Sequence, residues 1–143
     1  MPPYGRIRYD GYYHPSFGIA SFDAAGKYWK NKVGYVPCDK DNEAVAKALE
    51  YAYDDWCISV LAGELGDTLN QRKYADFSKG YQNYFDPVTR FMRGLDSKGN
   101  WRTPFNPRSS NHRSDDYCEG TAWQWTWFCS SRCGGTGGTD GRP

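Results

Sequence analysis

The stretch from residue 41 to residue 87 decides the fold, and it reads DNEAVAKALEYAYDDWCISVLAGELGDTLNQRKYADFSKGYQNYFDP. Large apolar side chains recur in its first half at steps of four, three and four, the spacing that places residues on one helix face. These are Leu49, Tyr53, Trp56 and Val60. Asp41 or Asn42 can cap the first turn, and Glu43 suits the positive end of the helix dipole. The pattern predicts a long first helix.

A second helix follows after a short link. Gly66 can adopt the left-handed conformation that ends a helix, and Asp67 or Thr68 can cap the next one. Aromatic residues then repeat at steps of three, four and three, at Tyr74, Phe77, Tyr81 and Tyr84. Pro87 disfavours helical geometry at Asp86. The two segments, each of roughly 20 residues, predict an antiparallel helical hairpin and an all-α fold.

The first helix carries a further apolar stripe, formed by Ala44, Ala48 and Ala52. A helix that is apolar on more than one side needs partners on more than one side. A single hairpin cannot supply them all. The hairpin is therefore expected to be part of a larger helical assembly.

Composition excludes several classes of protein. The chain has 143 residues, a formal net charge of +1 and 17% aromatic residues. It lacks the basic excess of a nucleic-acid binder that depends on phosphate contacts. No apolar run approaches the roughly 18–20 residues of a membrane span, and the N-terminus does not resemble a signal peptide. A polar, aromatic-rich chain of this kind suits a neutral ligand such as a sugar.

Three segments are predicted along the chain. Residues 1–40 are expected to form an irregular boundary segment with a short helix near residues 22–32. Residues 41–128 form the ordered domain, and residues 129–143 a flexible glycine-rich tail. Between the hairpin and the tail lies a long loop. In it, residues 91–93 and 101–102 flank the turn-rich Asp96–Asn100, an arrangement that suits a small β-hairpin.

Five cysteines leave at least one thiol unpaired in a monomer; they are Cys38, Cys57, Cys118, Cys129 and Cys133. The last three, with His112, suggest zinc, but their spacing lacks the close cysteine pairs of structural zinc sites. Cys57 lies within a helical pattern and is expected to be a small buried apolar residue. Neither a zinc site nor a disulfide is predicted.

The residues richest in chemistry are Ser110–Phe128, where three carboxylates directly precede three tryptophans. Aromatic faces stack on pyranose rings, and polar groups bind their hydroxyls. Carboxyl groups close to indole rings lose hydration and can hold a proton near neutral pH. Glycosidic cleavage needs such a proton for the departing oxygen. The ordinary alternative is that the acids cap a helix or face solvent and that the tryptophans form a core.

The tryptophan run has two structural interpretations. Trp123, Trp125 and Trp127 alternate with polar residues, as in a strand, and this period is favoured slightly. Trp123 and Trp127 also have the i, i+4 spacing of a helix. Periodicity alone leaves both interpretations open.

Three blocks of the sequence together resemble glycoside hydrolase family 92. The first joins GYVP at residues 34–37 to AKALEYAYDDWC at residues 46–57. The second is YFDP at residues 84–87 with FMRG at residues 91–94, and the third is DYCEGTAWQWTWF at residues 116–128. The resemblance covers about residues 23–128. It implies a calcium-dependent, inverting exo-α-mannosidase that acts on mannose-containing glycans, a fragment of an (α/α)6 toroid, and a helical tryptophan run.

The resemblance also implies residue roles. Glu119 matches the family's general acid, with Thr121 in place of the usual asparagine two residues later. Further candidates for shaping the sugar pocket are Trp123, Asp54, Asp55, His112 and Arg113.

The family pattern breaks off after Phe128, before the motifs that carry the family's general base and much of its calcium site. The chain is therefore expected to hold the acid without the base, and to be inactive in isolation and incomplete without the remainder of the catalytic domain. A mannose-binding remnant without catalysis and a helical interaction module are the alternatives. The metal ligands and the compartment are not predicted.

Overall fold

The computed structural model describes residues 22–128 and is mostly helical. Four α-helices, one 3₁₀-helix and one pair of short strands follow in chain order. They are α1 (Phe22–Val33), α2 (Ala44–Glu64), α3 (Thr68–Phe77), the 3₁₀-helix (Ser78–Tyr84), β1 (Phe85–Asp86), β2 (Phe91–Met92) and α4 (Ala122–Phe128). None of the helices in this part of the chain is both long and apolar enough to cross a membrane.

The predicted hairpin is confirmed, and its link works as the sequence indicates. Gly66 has φ 74°, a left-handed conformation that glycine adopts without strain. Asp67 then caps α3, because its carboxylate accepts the backbone N–H of Asn70 at 3.0 Å. These local signals place α3 against α2.

The second helix is shorter than predicted. It changes from α-helix to 3₁₀-helix at Ser78, whose hydroxyl donates to the Ala75 carbonyl at 2.8 Å. At the end of the 3₁₀ segment, the hydroxyl of the buried Tyr84 accepts the Val36 N–H at 2.6 Å and donates to the Val36 carbonyl at 3.2 Å. The contact that fixes the end of the hairpin therefore comes from the segment before α2. The spacing of aromatic residues within the hairpin does not predict this contact.

The two apolar faces predicted for α2 differ in burial. The face of small residues is buried, from Ala48 and Ala52 through Asp55 to Ser59. On the other face, Leu49 is buried in the core, but the residues beyond it are partly exposed: Tyr53 at 45%, Trp56 at 41% and Val60 at 46%. Small side chains permit close approach, and the Ser59 hydroxyl reaches the Gln71 carbonyl of α3 at 3.0 Å. The described residues thus bury the small-residue face, whereas the other face is buried at Leu49 and partly exposed beyond it.

The start of α2 is not capped by Asp41 or Asn42, contrary to the sequence prediction. Its amides are capped by the loop before α4: Glu43 N–H donates to the Asp115 carbonyl at 2.8 Å, and Val45 N–H to the Asp116 carbonyl at 3.1 Å. The N-cap residue Glu43 has φ 55° and no side-chain cap. The Asp41 carboxylate instead accepts a hydrogen bond from Lys47 at 2.7 Å. The Asn42 side-chain amide donates to the Arg113 carbonyl at 2.9 Å.

The small β-structure pairs differently from the prediction. β2 pairs antiparallel with β1, in the register Phe85↔Met92 and Asp86↔Phe91, instead of with residues 101–102. A single bridge between Leu95 and Trp101 closes the predicted turn. The buried Asp86 favours the observed pairing, because its carboxylate binds Val88 N–H and Arg93, each at 2.9 Å.

The core lies where α2, the 3₁₀-helix, the strand pair and α4 meet. Its buried side chains come from each of these elements and from the loops between them, and they include Val36, Leu49, Tyr51, Tyr84, Met92, Tyr117 and Ala122. The Tyr117 hydroxyl donates to the Met92 carbonyl at 2.6 Å. The tryptophan run is helical, as the family resemblance implies and against the strand that alternation favours slightly.

Three cysteines fall in the described part of the chain, and all are free thiols. Cys57 is exposed, so the prediction that it is buried is wrong; it lies between Trp56 and Ile58 on the uncovered side of α2. Burial raises the pKa of Cys38 to about 11. Cys129, Cys133 and the predicted tail at residues 129–143 lie outside the described residues, and the division into three segments stays a prediction.

Candidate active site

The predicted general acid, Glu119, lies at the end of the loop that caps α2. Its side chain is exposed, and its backbone has φ 49°, a conformation that non-glycine residues rarely adopt. The burial among indole rings that the sequence predicts for this carboxyl group is not found within residues 22–128. The side chain is open to a ligand that approaches from solvent.

The backbone on both sides of Glu119 is held by one tryptophan. Trp125 Nε1–H donates to the Cys118 carbonyl at 2.9 Å. On the other side, Gly120 is buried so close to the same ring that an added Cβ would lie 3.0 Å from Nε1. Side chains in rare backbone conformations persist where their surroundings fix them, as at many functional sites. Trp125 therefore fixes the direction from which Glu119 projects.

The two other carboxylates of the motif are used structurally. Asp115 accepts from Ser109 Oγ at 3.0 Å and from the amides of Asn111 at 2.8 Å and Tyr117 at 3.0 Å. Each oxygen of its carboxylate is engaged within its own loop. Asp115 shapes the loop rather than facing an open site.

Asp116 is 3% exposed and forms an ion pair with Arg102 at 2.8 Å. Burial raises the pKa of its carboxyl group, and the Arg102 guanidinium opposes that rise. Gly94 lies against it, so that an added Cβ would collide with the carboxylate. Asp116 therefore joins three parts of the molecule: its own loop, the segment that follows β2 and the start of α2.

The tryptophan proposed to contact sugar, Trp123, is 52% exposed. Its ring meets Phe91 edge-on, with 4.9 Å between ring centroids. Phe91 in turn packs on Phe105, with their centroids 6.0 Å apart. Trp123 is thus a supported aromatic side chain with half of its surface free, which suits stacking on a pyranose.

His112 and Arg113 lie in the same loop as Glu119. His112 Nδ1 lies 2.9 Å from Glu43 Oε1, and the same oxygen accepts the Arg113 N–H at 3.0 Å. Cys118 completes the group, because one ligand atom from each of Glu43, His112 and Cys118 lies within 4.8 Å of the others. Burial raises the pKa of the Cys118 thiol, and the carboxylates of Glu43 and Glu119 raise it further.

The aspartates of α2 lie away from this loop. Asp55 is 11 residues beyond Ala44, about 16 Å along the helix. It is 5% exposed and paired with Lys30 of α1, and burial raises the pKa of its carboxyl group. Asp54 is exposed beside it, and both line an open cavity of about 650 Å³ between α1, α2 and α3. Within residues 22–128, Asp54 and Asp55 are therefore not neighbours of Glu119.

Glu43 and Trp125 are functional candidates that sequence reasoning does not identify. The sequence predicts only that Glu43 is an acidic residue at the start of a helix. Its contacts are made with residues about 70 positions later, which local patterns do not predict. Trp125 is hidden within a run of three equivalent tryptophans. The glycine at position 120 is the one local signal, because a glycine beside a bulky run marks a close approach.

Calcium prefers six to eight oxygen ligands. Among the described residues, the one grouping of three or more histidine, cysteine and carboxylate side chains is Glu43, His112 and Cys118. Its donor set of one carboxylate, one imidazole and one thiol does not fit calcium. These three residues therefore do not form a calcium site.

Comparison with known proteins identifies the class to which this architecture belongs. The sequence profile of the glycosyl hydrolase family 92 catalytic domain matches residues 14–133. The chain belongs to this family of glycoside hydrolases. The match includes Glu119 and the whole loop that carries it.

Two solved structures from Bacteroides thetaiotaomicron resemble this fold. A GH92 α-mannosidase in complex with mannoimidazole is 38% identical with a TM-score of 0.67, over 75% of this chain and 16% of that one. A GH92 inverting mannosidase is 40% identical with a TM-score of 0.68, over 72% and 14%. The chain thus spans about a sixth of the first mannosidase and about a seventh of the second.

An uncharacterized secreted glycosidase of the fungus Arthroderma benhamiae is also similar. The match is 35% identical over an aligned length of 78 residues, and it covers 48% of this chain and 10% of that protein.

Proposed function

We propose that this chain is the part of an α-mannosidase catalytic domain that supplies the general acid, and that the acid is Glu119. The reaction is the inverting hydrolysis of terminal α-linked mannose from glycans such as N-glycans. Family membership and the mannosidase neighbours support the reaction class. The observation that carries the assignment is the exposed carboxyl group of Glu119 on a backbone fixed by Trp125.

In an inverting mechanism, one carboxylic acid protonates the leaving oxygen and a second carboxylate, about 6.5–9.5 Å away, activates water. Asp115 and Asp116 do not suit the second role, because hydrogen bonds and the Arg102 ion pair already engage them. We infer that the base comes from outside residues 22–128. The calcium on which the activity depends has its ligands there as well.

The sugar pocket is proposed to include Trp123 as a stacking platform, with His112 and Arg113 near the acid. Asp54 and Asp55 serve a more distant part of the pocket or its walls. The exposed face of α2 packs against the remaining helices of an (α/α)6 toroid. Without them, the chain does not hydrolyse mannosides.

The test compares two proteins in the same assay. One is the 143-residue chain, and the other is a chimaera in which this chain replaces the matching segment of the 40% identical Bacteroides mannosidase. We expect negligible release of mannose by the chain alone and calcium-dependent release by the chimaera. Glu119→Gln in the chimaera lowers kcat about 10²–10⁴-fold, the range for loss of a general acid. The exposed Glu64, at the far end of α2, gives the matched control Glu64→Gln, which keeps full activity.

Calcium-dependent hydrolysis by the isolated chain would contradict the proposed incompleteness. Full activity of the Glu119→Gln chimaera would contradict the assignment of the acid.

The exposed apolar residues of α2 and α3 favour a second candidate, a helical interaction module; Leu61 is 59% exposed and Leu69 78%. A mannose-binding remnant is distinguished from it by titrating tryptophan fluorescence with mannose. Saturable quenching supports the remnant, and its absence together with a stable complex with another protein supports the module.

A further inference from the structure

A small group of metal-ligating side chains lies beside Glu119, and of its members only His112 has a place in the proposed sugar pocket. It joins the first residue before α2, Glu43, to His112 and Cys118 in the loop that crosses this helix end. We propose that these three residues form a binding site for a divalent zinc ion, which goes beyond the proposed function and does not depend on it.

The donor set selects the metal. Imidazole and thiolate ligands suit zinc, and a carboxylate oxygen completes a mixed set, whereas calcium and magnesium take oxygen ligands. Three protein ligands leave the fourth tetrahedral position to water or to another ligand. The side chain of His112 is 49% exposed, so this position faces solvent.

The geometry is close to that of a bound ion. Zinc–ligand distances of 2.0–2.3 Å correspond to about 3.3–3.8 Å between ligand atoms of a tetrahedron. His112 Nδ1 and Glu43 Oε1 are 2.9 Å apart, and all three ligand atoms lie within 4.8 Å of one another. Changes of about 1 Å, within the reach of side-chain rotation, bring the set to coordination distance.

The backbone that carries these residues is fixed by long-range hydrogen bonds. Glu43 N–H donates to the Asp115 carbonyl at 2.8 Å, and the Asn42 amide to the Arg113 carbonyl at 2.9 Å. The helix start and the loop are therefore joined before any metal binds. Preorganisation of this kind lowers the cost of binding.

Binding exchanges protons for the metal. Nδ1 of neutral His112 donates its lone pair, with the ring proton on Nε2, and the Cys118 S–H bond breaks as the S–Zn bond forms. The thiol proton passes to solvent. No oxidation or reduction takes place.

The test is a titration of the metal-free 143-residue chain with zinc chloride, followed by calorimetry, and with cobalt chloride, followed by thiolate-to-cobalt charge-transfer absorption. We expect one zinc per chain, a cobalt band that zinc abolishes, and no displacement by millimolar calcium. Cys118→Ser removes the cobalt band and weakens zinc binding at least about tenfold, and His112→Gln weakens it similarly.

Two controls separate this site from Cys57, Cys129 and Cys133. Cys57→Ser, at an exposed position on the far part of α2, leaves the affinity unchanged. So does the double variant Cys129→Ser/Cys133→Ser. Loss of binding in that double variant, an unchanged affinity in Cys118→Ser, or the absence of any cobalt–thiolate band in the unaltered chain would overturn the proposal; that last readout does not depend on the folding of any variant.

Discussion

The two ends of α2 differ in how they are stabilised. At its start, the loop before α4 satisfies the helix amides, and the ion pair of the buried Asp116 with the partly exposed Arg102 holds that loop in place. Towards its end, the aromatic face of α2 and the first turn of α3 expose large apolar side chains. The first region, which carries Glu119, is completed within the described residues. The second has the surface of an element that packs against further partners.

The largest effect on stability is expected from Gly94→Ala, in the region that supports the start of α2. The new Cβ collides with the buried Asp116 carboxylate and disturbs its ion pair with Arg102. We expect the free energy of unfolding to fall by about 3 kcal/mol, the upper range for overpacking a core. Urea denaturation followed by circular dichroism measures it.

The matched control is Gly99→Ala, at a glycine with φ 82° and no neighbouring atom within 4 Å. It should lose only about 1 kcal/mol, because its cost is that of a left-handed backbone without a collision. Equal losses at the two positions would mean that Asp116 does not depend on close packing.

A smaller effect is expected from Asp86→Asn in the strand pair. At pH 7 the free energy of unfolding should fall by about 2 kcal/mol, because the hydrogen bonds to a charged carboxylate are weakened. Burial alone raises the pKa of Asp86, but hydrogen bonds from Arg93, Val88 and Thr89 outweigh it and lower the pKa. The stabilisation is therefore present above the unfolded-state pKa, near 3.8, and is lost as the pH falls through the lower folded-state value.

The difference in unfolding free energy between wild type and Asp86→Asn should accordingly be constant from pH 7 to about pH 5 and shrink below pH 4. Thermal melts at a series of pH values test this. A difference in unfolding free energy that grows as the pH falls would contradict the stabilisation of the ionised Asp86 by Arg93 and the two other donors.

The smallest effect on stability is expected at the exposed end, from Leu61→Ser combined with Leu69→Ser. Both side chains are more than half exposed, so the free energy of unfolding should change by less than about 0.5 kcal/mol per site. Self-association, measured by sedimentation velocity, should decrease because the apolar surface is smaller. A loss of several kcal/mol would show that these residues are already packed.

Local signals in the sequence predict the hairpin well. The Gly66–Asp67 link depends on a backbone conformation and a cap that neighbouring residues determine by themselves. The buried small-residue stripe and the exposed aromatic stripe are both visible as periodicity, but which stripe is covered depends on α3 and on segments further away. Periodicity identifies the apolar faces of a helix but does not identify the elements that pack against them.

The candidate site is less predictable, because its contacts span long distances in sequence. Glu43 meets His112 and Arg113, about 70 residues away, and no spacing rule links them. The cap of α2 is likewise made by distant carbonyls in place of Asp41 or Asn42. Family resemblance identifies Glu119 where residue patterns identify only an acidic, aromatic-rich segment.

The most direct test of the central claim is the dependence of kcat on the leaving group in the chimaera and its Glu119→Gln variant. A general acid matters most for poor leaving groups, which need a proton as the glycosidic bond breaks. We expect Glu119→Gln to slow a disaccharide by about 10²–10⁴-fold, and a dinitrophenyl mannoside by far less. An equal loss for both substrates would contradict the assignment of Glu119 as the proton donor.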